Sequence, residues 1–236
     1  MRLDQALVVK NLYPTRAKAV AAIKAGLVCV NNQIAQKPSQ NIKDTDVLSA
    51  SSLPYSASRG SLKLSHALDY FNINPDGMVC LDVGASTGGF TETLLNRGAK
   101  RVIAVDVGTN QLAPNLRSDS RVMSLEKTDI RTLCPIEQVD LIVIDVSFIS
   151  LTNIADVLQK WGARQIIALI KPQFEVPREI AARYNGVIRS EIDRNQAIEK
   201  VRACFEKLGL RCLGVVQSPI LGGSGNVEFL ALFNKS

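Results

Sequence analysis

Four ionisable residues stand where a soluble chain rarely leaves charge. Lys63 lies within SRGSLKLSHAL, Asp145 within LIVIDVSF, Lys171 closes IIALIKP, and Glu228 opens NVEFLALF. Each is flanked by apolar side chains, and an ion in such surroundings is costly to desolvate unless a partner answers it. Two lysines and two carboxylates can answer one another. A lysine held this way can take a proton from a weak nucleophile such as a hydroxyl, while the second cation steadies the negative charge that develops. His66 lies three residues beyond Lys63 on the same expected helix. One turn of helix makes it a packing residue or an edge residue and not the base.

A second group of residues binds rather than reacts. Asp82, Gly84, Ala85, Ser86, Thr87, Gly88, Gly89 and Phe90 follow the apolar run MVCL. The glycines let the backbone turn tightly and approach a ligand, with the next helix starting behind them. Their spacing is Gly-x-x-x-Gly-Gly, not the Gly-x-Gly-x-x-Gly of nicotinamide-binding folds. Asp106 ends the next apolar run, 22 residues after Gly84, where a carboxylate can accept both ribose hydroxyls. Asp129 follows the third run, in reach of an adenine amino group. An acid before the loop, then acids after two further strands, describe a pocket for S-adenosylmethionine, with Phe148 packing near that cofactor.

The elements that must position these residues are legible as alternating patterns. MVCLDVG, RVIAVDV, RVMSLEK, DLIVIDVSF and QIIALIK read as buried parallel strands. Helices are expected at 88–97, 151–160 and 190–208, and CLGVVQS and NVEFLALF supply two last strands. The result is a doubly wound α/β sheet that binds ligands beyond the carboxyl ends of its strands. If the last strand runs antiparallel, its beginning shares an edge with those ends, and Asp145, Lys171 and Glu228 meet there. Segment 173–189, with Pro177 and Gly186, is expected to form a lid.

The first sixty residues are built differently. They hold eight Lys or Arg against three Asp, whereas the rest of the chain is nearly neutral. A basic module on a near-neutral unit suits binding of a polyanion. Leu3, Ala6 and Leu7 give one short helix, ended at Pro14. Thr15 caps a second helix with Ala19, Val20 and Ile23 on its apolar face, closed by Gly26. LVCV and QIA then pair around Asn31-Asn32 as a hairpin. SSLPYSASRG, residues 51–60, reads as a linker between an RNA-binding domain at 1–50 and a catalytic domain at 61–236. Cys29, Cys80, Cys134, Cys204 and Cys212 form no Cys-x-x-Cys pair, so we read them as reduced, mostly buried thiols, with no zinc site. No signal peptide or membrane span is expected, and the protein reads as cytoplasmic.

RLDQAL with TRAKAVAAIKAGLVCVNNQ resembles the ribosomal-S4-like RNA-binding module, although Asn31-Asn32 stands where that module usually turns on Asn-Gly. The resemblance implies Arg2, Arg16, Lys18 and Lys24 as RNA contacts. LDVGASTGGFTETLL and the Lys63, Asp145, Lys171, Glu228 set resemble the FtsJ-related ribose 2′-O-methyltransferases and their Lys-Asp-Lys-Glu tetrad. SRGSLKL, VDVGTNQL, VIDVSFISL, ALIKPQFE and GNVEFLAL follow the order of the TlyA, or hemolysin A, family. SRGS departs from that family's Ser-Arg-Gly-Gly, and the Tyr55–Ser58 stretch is one residue longer. The resemblance implies a seven-stranded Rossmann-like methyltransferase sheet with its last strand antiparallel, acting on ribosomal RNA. Three rival readings are weaker. An RNA-binding protein with an inactive methyltransferase fold is opposed by the intact tetrad, a small-molecule methyltransferase by the basic module, and a haemolysin by the lack of an amphipathic or membrane-spanning stretch.

Overall fold

The computed structural model describes residues 1–13, 15–24, 28–31, 33–35, 37–43, 45–50 and 59–235. The expected stops at Pro14 and Gly26, Asn32, and linker residues 51–58 lie outside them. The chain divides into two compact units, Met1–Ala57 and Ser58–Ser236.

In the first unit, α1 (Leu3–Val9) and α2 (Arg16–Lys24) pack beside β1 (Val28–Val30), β2 (Gln33–Ile34) and β3 (Leu48–Ala50). The strands form an antiparallel sheet in the order β2-β1-β3. Leu3, Leu7, Ile23 and Val28 form the centre of its core. The Thr15 hydroxyl accepts the Lys18 N–H at 3.3 Å, as an N-cap does. Asn31 adopts φ +52 at the hairpin, which asparagine tolerates better than most residues. The third strand was not anticipated, because three residues ending in Ser49-Ala50 carry no alternating pattern.

The second unit opens with α3 (Arg59–Tyr70), which takes in two residues that the sequence reading left in the linker. Then follow β4 (Val79–Val83), α4 (Gly89–Asn96), β5 (Arg101–Val105), α5 (Pro114–Arg117), β6 (Val122–Leu125) and β7 (Leu141–Ile144). A 3-10 turn at Leu151–Asn153, α6 (Ala155–Leu158) and a 3-10 turn at Gln159–Trp161 lead to β8 (Gln165–Ile170). The remainder is α7 (Pro172–Glu175), α8 (Arg178–Arg183), α9 (Glu191–Lys207), β9 (Leu210–Gln217) and β10 (Phe229–Lys235). Every expected strand of this unit is present.

The seven strands order as β6-β5-β4-β7-β8-β10-β9. β4 to β8 run parallel, while β10 is antiparallel to both β8 and β9. Successive side chains of a strand face opposite ways, so the strands feed two apolar layers. Leu81, Ile103, Ile142 and Ile166 face Trp161 and Phe205 of one layer. Cys80, Val102, Leu141 and Ile167 face Leu64 and Leu68 of α3 and Leu94 of α4 on the other. The strand order reverses between β4 and β7, and the crevice outside their carboxyl ends is where such sheets take ligands.

All five cysteines are free thiols. Only Cys80 is buried, and Cys134 is exposed; the expectation of mostly buried thiols is corrected, since Cys29, Cys204 and Cys212 are half-buried within β1, α9 and β9. Among the described residues, no helix is long and apolar enough to cross a membrane.

Candidate active site

The glycine loop leaves β4 at the crevice. Gly84 has φ +86, and a Cβ placed on it would stand 2.5 Å from the Asp145 carbonyl oxygen. Only glycine lets these two strand ends approach so closely. The Ser86 N–H donates to Asp106 Oδ2 at 2.8 Å, and Gly108 N–H donates to Oδ1 at 2.7 Å. These bonds fix the carboxylate, and each oxygen keeps a lone pair for a further donor.

A cleft of about 440 Å³ lies between these segments, within the usual range of small-molecule sites. Gly84, Ser86, Asp106, Asp129, Asp145 and Phe148 line it, with apolar walls from Val107, Ile130 and Ile154. A second cavity of about 260 Å³ shares Gly84, Ser86 and Asp145 and adds Arg59, Ala85, Thr87, Gly89 and Phe90. A glycine cradle, a fixed acid and an apolar wall fit a nucleoside with a charged tail.

Two expected binding residues are placed differently. Asp82 is fully buried and lines neither cavity. Its Oδ2 accepts the Thr91 hydroxyl at 2.6 Å, while Oδ1 has no partner. Burial pushes its carboxyl up to about 7, against the pull of Thr91 and with a further push from the Asp145 charge. Asp82 therefore ties the loop to α4 from behind. Gly88 likewise faces away, toward Leu112 and Leu116. Asp129 reaches the cleft, but Arg131 donates to both of its oxygens through Nε and Nη2 at 2.6–3.0 Å. That hydrogen bonding holds the Asp129 carboxyl below its ordinary range.

Lys63, Asp145, Lys171 and Glu228 come together at the carboxyl lip as two ion pairs. Lys63 Nζ meets Glu228 Oε2 at 2.6 Å, joining α3 to the start of β10. Lys171 Nζ meets Asp145 Oδ1 at 2.6 Å and donates to Ser147 Oγ at 2.8 Å. Because β10 pairs β8 with Phe229 opposite Ile170, Glu228 and Lys171 follow at neighbouring ends of adjacent strands. Phe148 is 91% exposed, has φ +66 and lies 5.3 Å from the Phe174 ring. His66 packs at 6.2 Å from Tyr70. Segment 173–189 forms α7 and α8, and its end is fastened to Asn226, which accepts the Ile188 N–H and donates to the Gly186 carbonyl. Sequence reasoning missed Ser147, Arg131 and Arg59; Arg131 stands two residues beyond Asp129, a spacing that permits its return contact, whereas Ser147 meets Lys171 across the strand ends.

In the N-terminal unit, Arg2 Nε and Nη2 donate to the two Asp4 oxygens at 3.0 Å, and Arg16 Nε donates to Oδ2 at 2.9 Å. Asp4 is buried, and its carboxyl is held at about 2, chiefly by the Arg2 hydrogen bond. Lys18 is exposed; the Lys24 side chain lies outside the described residues.

The profile of FtsJ-like methyltransferases matches residues 56–235, and that of the S4 domain matches 1–48. The 16S/23S rRNA (cytidine-2′-O)-methyltransferase TlyA of Mycobacterium tuberculosis is 43% identical over 97% of this chain and 87% of its own. The chain belongs to the TlyA family. Hemolysin A of Brachyspira hyodysenteriae, in the same family, is 41% identical across 99% of both chains. A solved TlyA-like structure from Streptococcus thermophilus, described as a hemolysin, superposes with a TM-score of 0.76 at 41% identity, covering 100% of this chain and 88% of that one. The sheet order above is thus the methyltransferase sheet of an S4-bearing TlyA protein.

Proposed function

We propose that the chain is an S-adenosylmethionine-dependent 2′-O-ribose methyltransferase that acts in the cytoplasm on ribosomal RNA or ribosomal subunits. The observation that carries this reading is the pairing of two lysines with two carboxylates beside the glycine loop. The activity for which the M. tuberculosis relative is named supports the same substrate class. S-adenosylmethionine, when bound, supplies an electrophilic methyl group on a sulfonium. On this reading Gly84, Ala85, Ser86, Thr87, Gly89, Phe90, Asp106 and Asp129 hold it, and Asp82 and Gly88 act through the loop.

A ribose hydroxyl is a poor nucleophile at neutral pH, so a base must take its proton as it attacks. Lys171 Nζ accepts that proton as a neutral amine, its own extra proton having left before the methyl is transferred, while Asp145 and Ser147 hold it in one place. Lys63 stabilises the negative charge growing on the ribose oxygen, and Glu228 aims Lys63. Phe148 offers an exposed aromatic face for the base of the target nucleotide, since stacking on aromatic side chains suits unstacked RNA bases. The S4 domain, about residues 1–50, anchors RNA through Arg2, Arg16, Lys18 and Lys24, joined by linker 51–60 to the catalytic domain at 61–236. Mapping ribose methylation on ribosomes from strains with and without the gene tests the reading. A ribose methyl missing only without the gene is expected; identical maps would overturn the assignment.

A further inference from the structure

Two segments carry the Lys171–Asp145 pair, 145–151 after β7 and 171–175 after β8. They are joined by a ladder of contacts. Its first rungs are Asp145 and Ser147 on Lys171, and the next is Phe148 against Phe174. The last rung belongs to Glu175. This carboxylate is 2% exposed; its Oε1 accepts the Leu151 N–H at 2.8 Å and its Oε2 accepts the Ser150 hydroxyl at 2.5 Å. Lys200 of α9 donates to the Glu175 carbonyl at 2.7 Å and stands 3.7 Å from Oε2.

The segment so gripped is strained. Phe148 holds φ +66, a left-handed conformation that an aromatic residue adopts only when its surroundings impose it. Ser150 also caps the 3-10 turn at Leu151–Asn153 by accepting the Thr152 N–H at 3.2 Å. Glu175 therefore fixes the far end of a turn whose near end is Asp145. A buried carboxylate is a poor means of stabilising a fold when an apolar side chain of similar volume would serve. It is well suited to setting the register of one segment against another.

We propose that Glu175 is a positioning residue for methyl transfer: it holds the 145–151 turn against the 171–175 segment so that Asp145 and Ser147 keep Lys171 aimed. This rests on the reading of Lys171 as the base. The geometry requires alignment in the reacting complex, where a misplacement of about 1 Å costs up to ~10²-fold.

The test uses the full chain and single-turnover transfer of labelled methyl to ribosomal RNA, with S-adenosylmethionine affinity measured by calorimetry. Glu175→Ala is expected to slow transfer ~10–100-fold while cofactor affinity and RNA KM move by less than ~3-fold. Glu175→Gln should restore most of the rate, because its amide oxygen still accepts the Leu151 N–H. Ser150→Ala should slow transfer alone and add little in the Glu175→Ala background. A folded Glu175→Ala that transfers within twofold of wild type overturns the proposal, as does a loss of cofactor affinity equal to the loss of rate. If Glu175→Ala does not fold, Glu175→Gln and Ser150→Ala decide: wild-type transfer by Ser150→Ala overturns the proposal, and slowed transfer at unchanged cofactor affinity supports it. Lys171→Ala separates the two readings. Full activity there removes the base itself, whereas an inactive Lys171→Ala beside a fully active Glu175→Ala removes only the positioning role.

Discussion

The two ion pairs at the lip of the sheet have the same length and different surroundings. Lys63 and Glu228 are sealed, with side chains 7% and 3% exposed, and the contact spans 165 residues of sequence. In the other pair Asp145, 22% exposed, lines the cleft together with Ser147, while Lys171, 10% exposed, stands behind them and donates to the Ser147 hydroxyl. A sealed pair can hold a charge in place and cannot easily take a proton from a ligand. A pair with one member on the cleft wall is better placed to do so. Identical chemistry thus acquires two roles from access alone.

The largest expected effect tests that division directly. Lys171→Ala should slow methyl transfer ~10²–10⁴-fold with cofactor and RNA binding retained. Lys171→Arg should fare little better, because a guanidinium does not become neutral in a protein. Lys63→Arg should keep part of the rate if Lys63 acts only as a cation. Single-turnover measurements rank the three; near-normal transfer by Lys171→Arg would exchange the roles of the pairs.

Stability should divide the other way. Glu228→Ala leaves the Lys63 ammonium buried without its partner, at a cost on the order of 3–5 kcal/mol. Asp145→Ala leaves Lys171 with Ser147 and the cleft, and should lower Tm much less while lowering the rate more. Equal Tm losses in thermal melts of the two variants would remove the distinction between sealed and open.

The cofactor side should respond more mildly. Asp106→Ala is expected to weaken S-adenosylmethionine by ~1–3 kcal/mol, through lost charge-assisted hydrogen bonds. Unchanged affinity in calorimetry would take Asp106 out of the site.

The smallest effect concerns Asp82, a buried acid with no cation on it. Its carboxyl titrates at about 7 in the folded chain, against an ordinary value of 3.8. Between these values the folded state holds a proton that the unfolded state has released, so this group's contribution to stability falls as pH rises through that window. Asp82→Asn, which keeps an acceptor for Thr91, should melt a few degrees above wild type at pH 8 and close to it at pH 4. A difference that does not change with pH would show that Asp82 is ionised in the fold.

Much of this arrangement was legible because it is repetitive. Runs such as LIVI and QIIALI can only be strands buried on both faces, and charges set at their ends must share an edge. What was not legible depended on contacts that no local pattern encodes. Asp129 reads as a free acceptor until Arg131 is seen to fold back on it. Phe148 sits in an apolar run, so it reads as packing, whereas the turn at φ +66 throws it outward. The short strand Leu48–Ala50 exists only because Val28–Val30 offers it an edge.

The position of β10 has one further consequence. It lies between β8 and β9, not at the border of the sheet, and Phe233 within it stacks at 4.4 Å on Phe205. Of the ten strands among the described residues it leaves the ribosome last, yet it fills an interior slot and its entrance carries Glu228. A nascent chain therefore holds a sheet with a gap until β10 is synthesised, and the lip gains its fourth charge only then. A premature stop codon after Val227 would not trim an edge; it would split the sheet and leave the Lys63 ammonium without its counter-ion.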